Sequence, residues 1–284
     1  MNKKAGTARL SVISNTFLIA IKVTVGILSG SVSILSEAIH SFMDLLAALI
    51  AFFSVRVSDT PADSKHPYGH GKFENISGVA EAMLIFVAAF WIIYEAIKKM
   101  LDPKPIESLW LGFVVMAVSA VVNTIVSARL YKVARETDSI ALEADALHLK
   151  TDVLTSAGVA VGLLLIWLTG YHFLDPVVAI IVALLILRES FNLFRRAYGP
   201  LLDTALPPDE VQKIHQTIRK HCFGDSDYHD LRTRKSGHRK YVDFHLNLSP
   251  DMTVRDAHHL CDLIEEDIRQ AIPNCEVTIH VENF

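Results

Sequence analysis

The chain of 284 residues is 51% hydrophobic with a mean hydropathy of +0.33, too apolar for a soluble domain of this length and the mark of several membrane spans. Its net charge of −4 includes no basic stripe, which argues against a nucleic-acid partner. Three cysteines, Cys222, Cys261 and Cys275, have no C-x-x-C spacing and read as reduced thiols, against a disulfide framework or a Cys-only zinc site.

Apolar sequence fills the chain from about Leu10 to Leu193 and then yields to a polar, His-rich tail. Six segments reach the roughly 20 residues that a spanning helix needs: Leu10–Leu28, Val32–Val55, Ile76–Ile97, Leu109–Leu130, Ala141–Leu168 and Val177–Leu193. Lys3 and Lys4 before the first give it the outline of a signal peptide, but the run is long, no small-residue cleavage site closes it and further spans follow. Lys3, Lys4 and Arg9, then Arg56, Lys65 and Lys72, then Arg129, Lys132 and Arg135, then Arg195 and Arg196 fall on one side of a six-span arrangement. The positive-inside rule makes that side cytoplasmic, with both termini; Lys98, Lys99 and Lys104 dissent and are outnumbered.

The second and fifth spans each carry a His/Asp pair at one helical turn, His40 with Asp44 and His148 with Asp152. Two such helices side by side offer two imidazoles and two carboxylates to one ion, a tetrahedral N/O set suited to zinc. An Asp in hydrocarbon costs about 2.5–3.5 kcal/mol on insertion scales, and coordination supplies a reason for two of them. Hydrogen bonding to a neighbouring helix would explain one pair; the duplication weighs against it.

Between the second and third spans, Asp63, His66 and His70 lie among glycines and a proline that let the chain fold tightly, either around a cation or as solvated loop residues. The tail has an α-β-β-α-β order: a helix from Pro207 to about Cys222, strands Tyr228–Lys235 and Lys240–Leu248, a helix with Ala257, Leu260, Cys261, Ile264 and Ile268 on one face, and a strand Glu276–Val281. In the second strand Val242, Phe244, Leu246 and Leu248 make a core face and Tyr241, Asp243, His245 and Asn247 a polar one. The fold class is thus a six-helix membrane domain over residues 1–202 followed by a ferredoxin-like α/β domain over 203–284. His229, His245 and His280 on strands, with His258 on a helix, make either a metal site or unrelated surface histidines.

On the two intramembrane pairs, the Asp63, His66, Gly69, His70, Gly71, Lys72 loop, the Leu202, Asp203, Leu206, Pro207 junction and the run from His229 through Arg234 to Gly237, the chain resembles the cation diffusion facilitator family of metal transporters over nearly its full length. The resemblance implies a homodimer in the cytoplasmic membrane, with a dimeric cytosolic domain, that exports divalent cations in exchange for protons. It implies a transport site of His40, Asp44, His148 and Asp152, a loop site of Asp63, His66 and His70, and a cytosolic site of His229, His245, His258 and His280, with Glu282 where related sequences often carry Asp. It also implies that Lys72 and Asp203 form a charge interlock across the dimer. His at position 40 is the pattern associated with zinc-selective members, so the expected cargo is Zn²⁺, with Cd²⁺ a passenger and Mn²⁺, Fe²⁺, Co²⁺ or Ni²⁺ the alternatives. Two other classes compete: an intramembrane metalloenzyme, for which Glu81 would be the acid/base although no H-E-x-x-H occurs, and a non-transporting metal receptor. Paired carboxylates at membrane depth argue against the receptor.

Overall fold

The computed structural model describes residues 3–29, 32–101, 110–171, 173–222 and 226–283. Lys104 and the side chain of His40 lie outside the described residues. Two compact units divide the chain, residues 1–198 and 199–284.

The first unit has six long helices: α1 (Lys3–Ser29), α2 (Val32–Ser58), α3 (Lys72–Leu101), α4 (Trp110–Thr137), α5 (Ile140–Thr169) and α6 (Leu174–Tyr198). The shortest, 25 residues, is about 37 Å long at 1.5 Å per residue, more than the roughly 30 Å of a hydrocarbon core. All outrun the apolar segments read from sequence, because the helix continues beyond the hydrocarbon wherever polar residues find partners. α1 extends back through Lys4 for this reason. Lys4 is buried and reaches Asp59 at 2.8 Å and Glu74 at 2.9 Å, and Glu74 also accepts from Ser58 at 2.8 Å and from Ser139. Glu74 has no exposed surface, and this network satisfies a charge that would otherwise be stranded.

Helix pairs α1/α2, α3/α6 and α4/α5 run side by side. Small residues let them approach: Ala47, Ala48 and Ala51 on α2, Ala82 and Ala89 on α3, and Ala141, Ala144 and Ala146 on α5 are fully buried. Polar side chains bond across the seams, with Ser190 donating to the Ala82 carbonyl at 2.8 Å, Ser127 to Ala146 at 2.8 Å and Ser54 to Phe73 at 2.7 Å. Large apolar side chains such as Phe53, Val87, Phe90, Ile125 and Leu184 are exposed, as a bundle solvated by lipid requires. The α5/α6 seam is tightest at Gly162, where an added Cβ would lie 2.4 Å from Asp175 Oδ1 and 2.9 Å from its Cα. Asp175 is itself held by Lys99 at 2.6 Å. Gly162→Ala is expected to destabilise the purified protein by about 1–3 kcal/mol through overpacking, read as a lowered thermal midpoint in detergent. An unchanged midpoint would mean the seam is looser than described.

The second unit follows a short 3-10 turn, Gly199–Leu202, with α7 (Pro208–Arg219), β1 (Asp227–Ser236), β2 (Arg239–Leu248), α8 (Val254–Ala271) and β3 (Cys275–Asn283). Proline at the first position and Asp209 and Glu210 in the first turn start α7. Thr253 caps α8 by accepting from the Asp256 N–H at 3.2 Å. The sheet order is β1-β2-β3, with β1 and β2 antiparallel and β2 and β3 parallel through the α8 crossover. Val242, Phe244, Leu246 and Leu248 pack against Ile214 and Ile218 of α7 and Ile264 and Ile268 of α8, the ferredoxin-like core expected from the alternation. Tyr241 departs from the expected polar face: it is 5% exposed, covered by the Arg234 guanidinium 4.7 Å from its ring centre.

Candidate metal centres

α2 and α5 are in contact, and their shared seam carries the first centre. Asp44 is 5% exposed and its Oδ1 lies 3.1 Å from His148 Nε2. One ligand atom each from Asp44, His148 and Asp152 lies within 4.8 Å of the others. Donor atoms in a tetrahedral shell of about 2.0 Å radius are about 3.3 Å apart, so this trio needs only a small contraction to hold one ion. Beside it is a cavity of about 230 Å³ whose wall includes Asp44, Asp152, Asn15, Asn123 and Lys22. Asn123 donates to Asp152 Oδ2 at 3.5 Å, and the buried Lys22 donates to Ser41 at 2.7 Å. Asn15 and Asn123 had no role on sequence grounds and Lys22 was missed. The signal that could have found Lys22 is a lone cation in the middle of a span, which needs a partner there. Glu81 is fully buried, accepts from Ser77 at 3.3 Å and does not line this cavity, but it lies close enough to His148 to interact with it electrostatically.

In the loop between α2 and α3 the chain closes on itself through reciprocal backbone hydrogen bonds of Asp63 and His66, each 3.2 Å. Gly69 at φ +80° makes the turn that returns His70 to the same point. Asp63 Oδ1 lies 3.2 Å from His66 Nδ1 and its Oδ2 lies 3.4 Å from His70 Nε2. The N–H groups of His66 and Lys65 donate to the Asp63 carboxylate and hold its pKa below the ordinary value. It therefore stays anionic at physiological pH.

The tail centre follows from strand register. His229 pairs with His245 across the antiparallel ladder and His245 with His280 across the parallel one, so the three rings stand in a row on the face away from the helices. Ring centres are 5.1 and 4.8 Å apart. Glu282, two residues beyond His280 and hence on the same face, reaches His245 Nδ1 at 3.0 Å, His229 Nε2 at 3.4 Å and His280 Nε2 at 3.5 Å. His229, His245 and Glu282 form the converging trio. His258 stands apart on α8, exposed, 3.8 Å from Asp262. None of the converging groups among the described residues includes a cysteine: all three thiols are free, and burial raises their pKa values, that of Cys275 to about 11. Lys72 opens α3, and Asp203, in the left-handed region at φ 53°, lies 3.8 Å from Arg234 within the tail.

Comparison with known proteins covers nearly the whole chain. Residues 8–202 match the cation efflux transmembrane domain and residues 206–284 the cytoplasmic domain of cation efflux proteins. An uncharacterised transporter of Synechocystis is 37% identical over 90% of this chain and 82% of its own length. The cation-efflux pump FieF of Shewanella oneidensis is 36% identical over 96% of this chain and 92% of its own, and FieF of Escherichia fergusonii 33% identical over 93% and 88%.

Proposed function

The chain belongs to the cation diffusion facilitator family of multi-pass membrane metal transporters, and from that membership we propose that it exports Zn²⁺ from the cytoplasm across the cell membrane in exchange for protons, working as a homodimer with both termini cytoplasmic. The observation that carries the reading is the convergence of Asp44, His148 and Asp152 beside a cavity within the helical bundle.

Two carboxylates offset the charge of a dication taken out of water, and imidazole with carboxylate suits zinc over harder ions. His40, one turn before Asp44 on the same helix, completes the set in this proposal. Histidine ligates only when neutral, so protons and metal exclude one another at the site. Zinc loads from the cytoplasmic side, the helices rock, and protons arriving from outside displace it; the protonated site then returns. Zinc flux into proteoliposomes containing the purified protein tests the reading. Saturable Zn²⁺ entry is expected, and absence of flux for every divalent metal would reject transport.

The tail trio has the donor chemistry of a resident zinc site, which would supply charge to hold His229, His245 and Glu282 in fixed positions, with His280, 3.5 Å from Glu282, as the further ligand of the set. We assign it a sensing role. Glu282→Gln keeps the shape, removes the charge shared by three imidazoles and is expected to weaken tail zinc binding about 10- to 100-fold, as loss of one ligating or ligand-orienting group does. Equilibrium dialysis of the full-length protein checks this, and unchanged stoichiometry and affinity would place tail zinc elsewhere.

A further inference from the structure

A second, larger cavity, of about 730 Å³, lies among α4, α5 and α6 and takes no part in the metal chemistry. On α5 its wall is the stripe Glu143, Leu147 and Lys150, spaced one turn apart. Lys150 is two residues from both His148 and Asp152, about 200° around the helix from each, so the cavity occupies the side of α5 away from those ligands. Along α4 the wall runs from Thr124 to Arg135, about 16 Å, from small and weakly polar side chains to charged ones.

The charges in this wall do not cancel. Arg196 makes two contacts with Glu143, at 2.8 and 3.0 Å, and Glu136 is paired with Lys3. Among the described residues, Lys132, Arg135 and Lys150 make no ion pair, Glu189 is the acid in the wall without one, and Glu136, paired with Lys3, also interacts with Lys132. Lys150 lies 5.9 Å from the centre of the Tyr131 ring and is exposed. A lysine on a spanning helix at the depth of a buried metal centre needs a counter-charge. A net positive wall repels a dication, which removes this cavity as a second route for zinc.

We infer that this cavity binds the phosphate-bearing headgroup of an anionic phospholipid, with Lys132, Arg135 and Lys150 on the phosphate and the Thr124 and Val153 end receiving the start of the acyl chains. Basic pockets between spanning helices on the cytoplasmic side have the charge and depth for such a ligand, and the graded wall distinguishes a lipid from a freely soluble anion. The site does not depend on the transport reading.

Native mass spectrometry of the purified dimer with phosphatidylglycerol against phosphatidylcholine tests it, the dimer mass in each spectrum reporting that the protein is assembled. Phosphatidylglycerol is expected to be retained at least about 10-fold better, Lys132→Gln/Lys150→Gln to lose the preference, and Lys150→Arg to keep it. The exposed Arg135→Gln is a separate variant expected to weaken retention. Equal retention of the two lipids, or an undiminished preference in the double glutamine variant, would overturn the proposal. Displacement of phosphatidylglycerol by an equal concentration of glycerol 3-phosphate or inorganic phosphate would overturn the lipid source, because the site would then take a soluble anion.

Discussion

Asp152→Asn is expected to lower Zn²⁺ flux by roughly 100- to 1000-fold while the dimer remains folded. The substitution preserves shape and keeps an oxygen to accept the 3.5 Å hydrogen bond from Asn123. What it removes is one of two negative charges facing the cation in a low-dielectric setting. Breaking a buried charge pair costs about 3–5 kcal/mol, roughly 150- to 5000-fold in occupancy, and the expected loss of flux takes the lower part of that range. Transport should fall because the site no longer loads, while elution volume and thermal midpoint stay near those of the parent. Parental flux from this variant would mean that the cation travels without Asp152.

Zinc affinity at the transport centre is expected to fall by about tenfold for each unit of decreasing pH, per proton displaced, in the range where its imidazoles take protons. The sign follows from competition: a proton on His148 adds a positive charge beside Asp44 at 3.1 Å and closes the donor atom, so the proton-bound, metal-free state gains as the proton concentration rises. A preparation with His66→Ala, His70→Ala, His245→Ala and Glu282→Gln, in which the loop and tail groups are both disabled, isolates the membrane centre for calorimetric zinc titrations between pH 7.5 and 5.5. A flat profile would show that metal and protons do not share the site.

The spanning segments were legible because a run of about 20 apolar residues has few other uses. Their ends were not, since Lys4, Asp59 and Glu74 satisfy one another across α1, α2 and α3, and no local pattern reveals a partner 70 positions away. The one-turn spacing within each His/Asp pair follows from helical period alone, whereas the approach of Asp44 to His148 and the contacts of Asn123 and Lys22 depend on which helices become neighbours. In the tail the alternation of β2 marked its core face correctly but not the burial of Tyr241, which results from Arg234 on the adjacent strand. Register aligned His229, His245 and His280; the sequence offered only that they can face one way. His258 shows the opposite outcome, because α8 packs on the helix-covered face of the sheet and carries it away from the strand histidines.

The most direct test of proton-coupled export is simultaneous recording of Zn²⁺ and pH inside the same proteoliposomes, with Asp152→Asn vesicles as the control. Zinc entry accompanied by alkalinisation of the lumen, accelerated by an imposed gradient acid inside and lost in the variant, is the expected result. Zinc entry with no proton movement, at a rate indifferent to the gradient, would contradict it.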